Sequence, residues 1–157
     1  MSITDPMSTD DLSEHRRLPF VRIGLEITDG GVRFVEITNT RPKVLRFDLE
    51  TRTLTSDPRA AREPFPFEYR VQFLAANFRF RGRGQSIFWE VPEHRPGYID
   101  EPVLEAGDQL LLMRVTNEGP KQTFARFLLV SEGLFAAGVQ IDPTIVNNPD
   151  PPPSAAD

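Results

Sequence analysis

Two histidines, 23 carboxylates and 16 arginines carry most of the side chains here that could do chemistry, and cysteine is absent. A copper or zinc centre needs three or four His, Cys or Met ligands converging from neighbouring elements. His15 lies in a polar N-terminal stretch and His94 in a loop bounded by Pro92 and Pro96, so the two cannot form such a set. No metal and no cofactor are expected. Without cysteine there is no disulfide, no thiolate nucleophile and no iron–sulfur cluster. Ser86 and Ser131 have no base with an orienting partner, and Gly-x-Ser-x-Gly does not occur. Catalysis would fall to paired acids: Glu90, Glu93, Asp100 and Glu101 flank one loop, and Glu105 and Asp108 follow it. Two carboxylates ~5–10 Å apart can hydrolyse a glycosidic bond, and three or four oxygens can hold calcium. Asp-x-Asp-x-Asp spacing is missing, and acids beside Pro and Gly ordinarily just solvate a loop. The expectation is no catalytic residue and no enzyme, with a loop-carboxylate hydrolase as the third reading.

The densest positive charge sits in Phe78-Arg-Phe-Arg-Gly-Arg-Gly-Gln-Ser-Ile-Phe-Trp-Glu-Val91. Phe78 and Phe80 alternate with Arg79 and Arg81, so a strand would turn the rings to one side and the guanidinium groups to the other. Arg-Gly-Arg-Gly then reads as a tight turn and Ile87–Val91 as the returning strand. A central hairpin is expected. Arg70, Arg79, Arg81 and Arg83 on one sheet face, interleaved with aromatics, would resemble a single-strand nucleic-acid surface. Glu68 and Glu90 on adjacent strands can neutralise it, and the chain as a whole carries −5. Nucleic acid is therefore not the expected partner, and Arg79, Arg81 and Arg83 become candidates for a protein contact. Trp89 and Tyr98, with Phe88, are candidates for a stacking pocket for carbohydrate or another small molecule.

The elements that would position these groups are strands. Val21, Ile23, Leu25 and Ile27 alternate with polar or small residues, and Asp29-Gly30 separates them from Val32–Ile37, a hairpin signal. Phe34 beside Val35 predicts a bulge or a two-sided strand there. Short strands follow at Val44–Phe47 and Leu49–Leu54, with one helical turn after Pro58. Phe67, Tyr69, Val71 and Phe73 give the cleanest alternation in the chain. Leu110–Val115 is nearly continuous in apolar residues and, with 127–130, reads as buried on both faces or as the centre of a sheet. Thr123–Ser131 and Phe135–Ile141 complete the set. No amphipathic helix longer than about two turns is present, and turns recur every ~8–12 residues. The fold class expected is all-β, a single antiparallel sandwich of about eight strands of the Ig-like or Greek-key type.

The 157 residues suit one domain. The expected organisation is a flexible arm over residues 1–18, a sandwich over 19–147, and a Pro-rich tail over 148–157. No window supplies ~18 consecutive apolar residues, and Met1–Leu18 lacks the apolar core of a secretory signal. A cytoplasmic protein with no membrane span is expected. The two Lys against 16 Arg also fit the codon bias of a GC-rich genome.

Leu110-Leu-Leu-Met-Arg-Val-Thr-Asn117, a Phe/Leu-rich strand, and Asp142-Pro-Thr-Ile-Val-Asn-Asn-Pro149 together resemble the small bacterial DP-EP family. More distantly they are similar to AidA/PixA inclusion-body proteins. The resemblance covers roughly residues 100–150 and implies a compact all-β protein ending soon after an Asp-Pro motif. It brings no catalytic residues, and Asn148 stands where the family name implies Glu. Independently of the family, Asp142 can cap a turn, Pro143 fixes φ, and Ile145 and Val146 can form an edge segment with Asn147 bonding backbone groups. Asp142 and Asn147 are thus candidates for a latch on their own domain, or for a strand offered to a neighbour. The function expected is non-enzymatic protein–protein association, most concretely self-assembly as a homo-oligomer. The runner-up is the aromatic ligand-binding module near Trp89.

Overall fold

A computed structural model describes residues 18–132 and 140–149. The predicted N-terminal arm with its His15, the tail beyond Pro149, and all but the end of the strand expected at Phe135–Ile141 lie outside the described residues. Ten strands are present among those described: β1 (Phe20–Thr28), β2 (Gly31–Asn39), β3 (Leu45–Asp48), β4 (Thr53–Ser56), β5 (Phe67–Ala75), β6 (Ile87–Val91), β7 (Val103–Glu105), β8 (Leu110–Asn117), β9 (Thr123–Leu129) and β10 (Thr144–Asn147). One 3-10 turn, Pro58–Ala61, sits where a helical turn after Pro58 was expected.

The strands form two open five-stranded sheets, ordered β2-β1-β5-β8-β7 and β3-β4-β10-β9-β6. Both are mixed, which corrects the antiparallel expectation: β1 runs parallel to β5 and β10 parallel to β4, while the other pairs are antiparallel. Ten strands replace the expected eight. The three-residue β7 falls in the Asp100–Asp108 stretch, whose sequence reads as a strand running into a turn, and Thr144–Asn147 of the expected edge segment forms a full strand.

Alternation explains the local structure. In β1, Val21, Ile23 and Leu25 are buried between half-exposed neighbours; in β5, Phe67, Tyr69, Val71, Phe73 and Ala75 are buried, and so is Gln72 on the opposite face. β8 is an interior strand of its sheet and is buried on one face only: Leu111, Met113, Val115 and Asn117 are buried, whereas Leu110, Leu112, Arg114 and Thr116 are only partly covered. β9 behaves alike, with Ala125, Phe127 and Leu129 inward. Apolar residues on both faces of these strands therefore do not mark a layer on both sides. The inward sets of the two sheets belong to one core cluster. Phe73 of β5 meets Phe127 of β9 edge-on at 6.3 Å, and Phe34 of β2 stacks on Phe47 of β3 at 5.9 Å. Each fully buried ring or branched side chain contributes roughly 1.5–3 kcal/mol of transfer free energy.

The bulge falls slightly later than expected. The β1–β2 register slips between Arg22 and Ile23, so that Ile23 faces Glu36 while Arg22 faces Thr38. The predicted hairpin at Phe78–Val91 is not formed. Phe78 and Phe80 are buried, and Arg79 and Arg81 are exposed, as alternation required. Yet the segment makes one isolated bridge, Phe80 to Ser131, and Ile87–Val91 pairs with β9 instead. Its N–H groups are satisfied across the molecule: Phe80 donates to the Asp108 carbonyl and Arg81 to the Val130 carbonyl, both at 2.8 Å. Gly84 and Arg83 both have positive φ, which bends the chain away from strand geometry before β6 begins.

Candidate functional site

The residues singled out above fall in separate places, and the structure adds another. The first is a buried polar cluster around Asn147. Register sets it: Ser56 on β4, Asn147 on β10 and Thr123 on β9 lie in one row across their sheet. Tyr69 and Asn117 reach it from the opposite sheet. The hydroxyls of Tyr69 (2.6 Å) and Ser56 (3.0 Å) both donate to Asn147 Oδ1, and Asn147 Nδ2 donates to Thr123 Oγ1 at 3.0 Å. Asn117 Nδ2 donates to Ser56 Oγ at 2.7 Å, and its Oδ1 accepts from Asn148 Nδ2 at 2.8 Å. Asn148 also donates its backbone N–H to the Ser56 carbonyl at 2.7 Å. Every member has a partner, which is the condition under which a buried polar network fixes one arrangement. Asp142 lies at the other end of β10, where it pairs with Arg52 at 2.7 Å.

The expected latch is therefore internal: β10 lies between β4 and β9 of its own chain, in the middle of the sheet and not at its edge. The two segments quoted for the family resemblance meet here through the Asn117–Asn148 bonds. Of the six polar side chains in this cluster, only Asn147 was a candidate site residue on sequence. Tyr69 entered only as a strand residue and Asn117 and Asn148 only within the resemblance motifs, while Ser56 and Thr123 sit on otherwise ordinary strand ends.

Burial holds the Tyr69 hydroxyl in its protonated form far above the ordinary phenol range, more than the neighbouring Ser56 hydroxyl offsets. Tyr98 is raised in the same direction by burial, with the Thr123 hydroxyl opposing. An acid with a raised folded-state pKa leaves stability intact below its unfolded value, about 10 for Tyr, and costs stability as pH rises above it. Denaturation midpoints should thus be unaffected by these tyrosines below pH ~10 and fall beyond it, with a shallower fall in Tyr69→Phe. Equal alkaline slopes for the two proteins would remove Tyr69 as the cause.

The second place is the Arg79–Arg83 segment. Arg79, Arg81 and Arg83 are exposed, but they lie outside the sheet strands, and only Arg81 and Arg83 border an open depression with Ser86, Asp108 and Glu132. Arg70 lies elsewhere, on β5, directly opposite Arg114 of β8. Arg114 in turn pairs with Glu68. A single arginine stripe does not exist. Strand β6 separates the proposed stacking residues as well. Trp89 turns inward onto Phe127 at 5.1 Å, whereas Phe88 is 60% exposed, as opposite faces of a strand require. Tyr98 is half-buried near Thr123, in the loop that precedes β7. The loop acids are partly engaged: Glu90 lies 3.7 Å from Arg126, and Glu101 lies 3.2 Å from Arg95.

The third place is the outer edge of β2, which sequence reading left unremarked. Ile27 exchanges hydrogen bonds with the Asn77 side chain, and Leu25 accepts from Ala76 N–H. The odd-numbered residues of β1 thus direct their backbone groups towards β5. The even-numbered ones face β2, where they partner Gly31, Arg33 and Val35. Antiparallel alternation then turns the N–H and C=O of Val32, Phe34 and Glu36 to the opposite side. Among the described residues no strand pairs with that side. Arg52 covers one group there: its guanidinium lies 4.7 Å from the Phe34 ring centroid and donates to the Val32 carbonyl at 3.4 Å. Val35 is 41% exposed and Ile37 is 50% exposed, the latter lying across Gly24 of β1.

Among the described residues no helix is long and apolar enough to cross a membrane. No family model matches this chain, and no curated protein matches it.

Proposed function

We propose that this chain is a non-enzymatic β-sandwich protein that works by protein–protein association, with copies of itself as the partner. One observation carries the reading: large exposed apolar side chains concentrate on edge strands. Val35 and Ile37 lie on β2, Phe88 and Val91 on β6, and Val103 on β7. Edge strands of monomeric proteins ordinarily carry charge, proline or strong bulges that stop further pairing. The buried cluster around Asn147 supports the same reading from the inside, because its polar side chains are occupied in joining the two sheets. The two segments that resemble the DP-EP family contribute Asn117, Asn147 and Asn148 to that cluster and so bear on architecture. The ion pairs at Glu90 and Glu101 favour structural roles for the loop acids over hydrolysis.

The native mass of the full chain tests this. Light scattering from micromolar to millimolar concentration should give a discrete oligomer, and a strict monomer throughout would sink the proposal.

A further inference from the structure

We propose that the contact between copies is an antiparallel β2–β2 pairing about a twofold axis at Val35, which joins two five-stranded sheets into one ten-stranded sheet. It rests on the self-association reading above and specifies its surface.

Length selects the strand. The four sheet edges are β2, β7, β3 and β6; β2 has nine residues, against three, four and five for the others. Pairing β2 with another edge would limit the ladder to the shorter strand. Pairing it with itself uses the longest edge twice and closes with C2 symmetry, so no edge of this kind is left to grow a fibre. An extended strand is also the partner that outward-directed N–H and C=O groups call for where no strand among the described residues pairs with them.

The register follows from what is already covered. Arg52 occupies the Val32 carbonyl, so the ladder must centre beyond that residue. Phe34 and Glu36 are the next two outward-facing positions. Setting Phe34 opposite the partner's Glu36, and the reverse, gives two hydrogen-bonded pairs with Val35 facing Val35 of the partner subunit between them. This register also matches charge. The Arg52 guanidinium stands over the Phe34 ring at 4.7 Å, beside the position that the partner's Glu36 would take. The contact occurs twice by symmetry. On the outer face, the two Val35 side chains and the flanking Ile37 side chains exchange exposure to water for contact with one another.

The test uses the full chain in sedimentation velocity, with two variants. Glu36→Pro deletes an outward N–H, and an edge position tolerates proline because no intrachain bond is lost. Val35→Lys places two ammonium groups face to face on the axis. The wild type is expected to be a dimer. Each variant should raise the dimer dissociation constant at least tenfold while leaving the monomer's circular dichroism spectrum unchanged. A wild-type oligomer that both variants leave intact would overturn this pairing and keep self-association, which would then use another surface. A wild-type monomer, including one whose edge is occupied by other residues of the same chain, would overturn both.

Discussion

Replacing Asn147 with alanine should destabilise the protein by roughly 3–5 kcal/mol, one of the two largest single-residue effects expected here. The side chain is almost fully buried, and its two polar atoms serve three partners from both sheets. Truncation leaves the Tyr69 and Ser56 hydroxyls without their acceptor and Thr123 Oγ1 without its donor. Each buried group that loses its partner costs about 1–3 kcal/mol, and the space left is too enclosed for full relaxation. Asn147→Asp is a sharper probe. It keeps the acceptor for Tyr69 and Ser56 but places a carboxylate in a buried site, so its destabilisation should ease as pH falls and the acid protonates. Thr144→Ala, on the outer face of the same strand, is the control and should stay within about 0.5 kcal/mol. Urea midpoints decide the matter. If Asn147→Ala costs no more than Thr144→Ala, the cluster does not hold the sheets together.

That result bears on how much could be read in advance. Strand periodicity was legible wherever one face is buried, so β1, β2 and β5 appear where Val21–Ile27, Val32–Ile37 and Phe67–Phe73 placed them. The burial of Phe78 and Phe80 was legible too. Their pairing was not, because alternation tells which face a side chain takes and says nothing about the neighbouring strand. Phe78–Arg81 has the pattern of a hairpin arm, yet its backbone bonds run to Asp108 and Val130. The same limit hid both parallel pairs. Val21 lies beside Val71, and Thr144 beside Thr53, partners that no local turn connects. The cluster was the least legible feature: Ser56, Tyr69 and Asn117 reach Asn147 only because two sheets bring distant strand ends to one level. Asn147 was legible as part of a latch or of a strand offered to a neighbour, with backbone groups as its expected partners; its actual partners are the hydroxyls of Ser56, Tyr69 and Thr123, which topology alone brings to it.

Phe127→Ala is the other large effect, expected at about 3–5 kcal/mol, or a fall in midpoint temperature of roughly 8–15 °C for a chain of this size. Phe127 is fully buried on β9 and is the point where three rings meet across the core: it stands edge-on to Phe73 of the opposite sheet and tilted against Trp89 of β6. Its loss removes a transfer term and opens a void between sheets whose backbones are each held by their own ladders, so the gap cannot close by a small shift. Phe127→Leu keeps most of the volume and loses chiefly the aromatic contacts, which should limit the cost to about 1–2 kcal/mol. The chain has a single tryptophan, so the same variants carry an internal reporter. With Phe127 truncated, Trp89 faces a looser and wetter surround, and its emission should shift to the red and become more open to quenchers, whereas Phe127→Leu should leave it near the wild-type position. An unmoved Trp89 spectrum in a destabilised Phe127→Ala protein would mean that the ring on β6 is held by the sheet edge and not by the core.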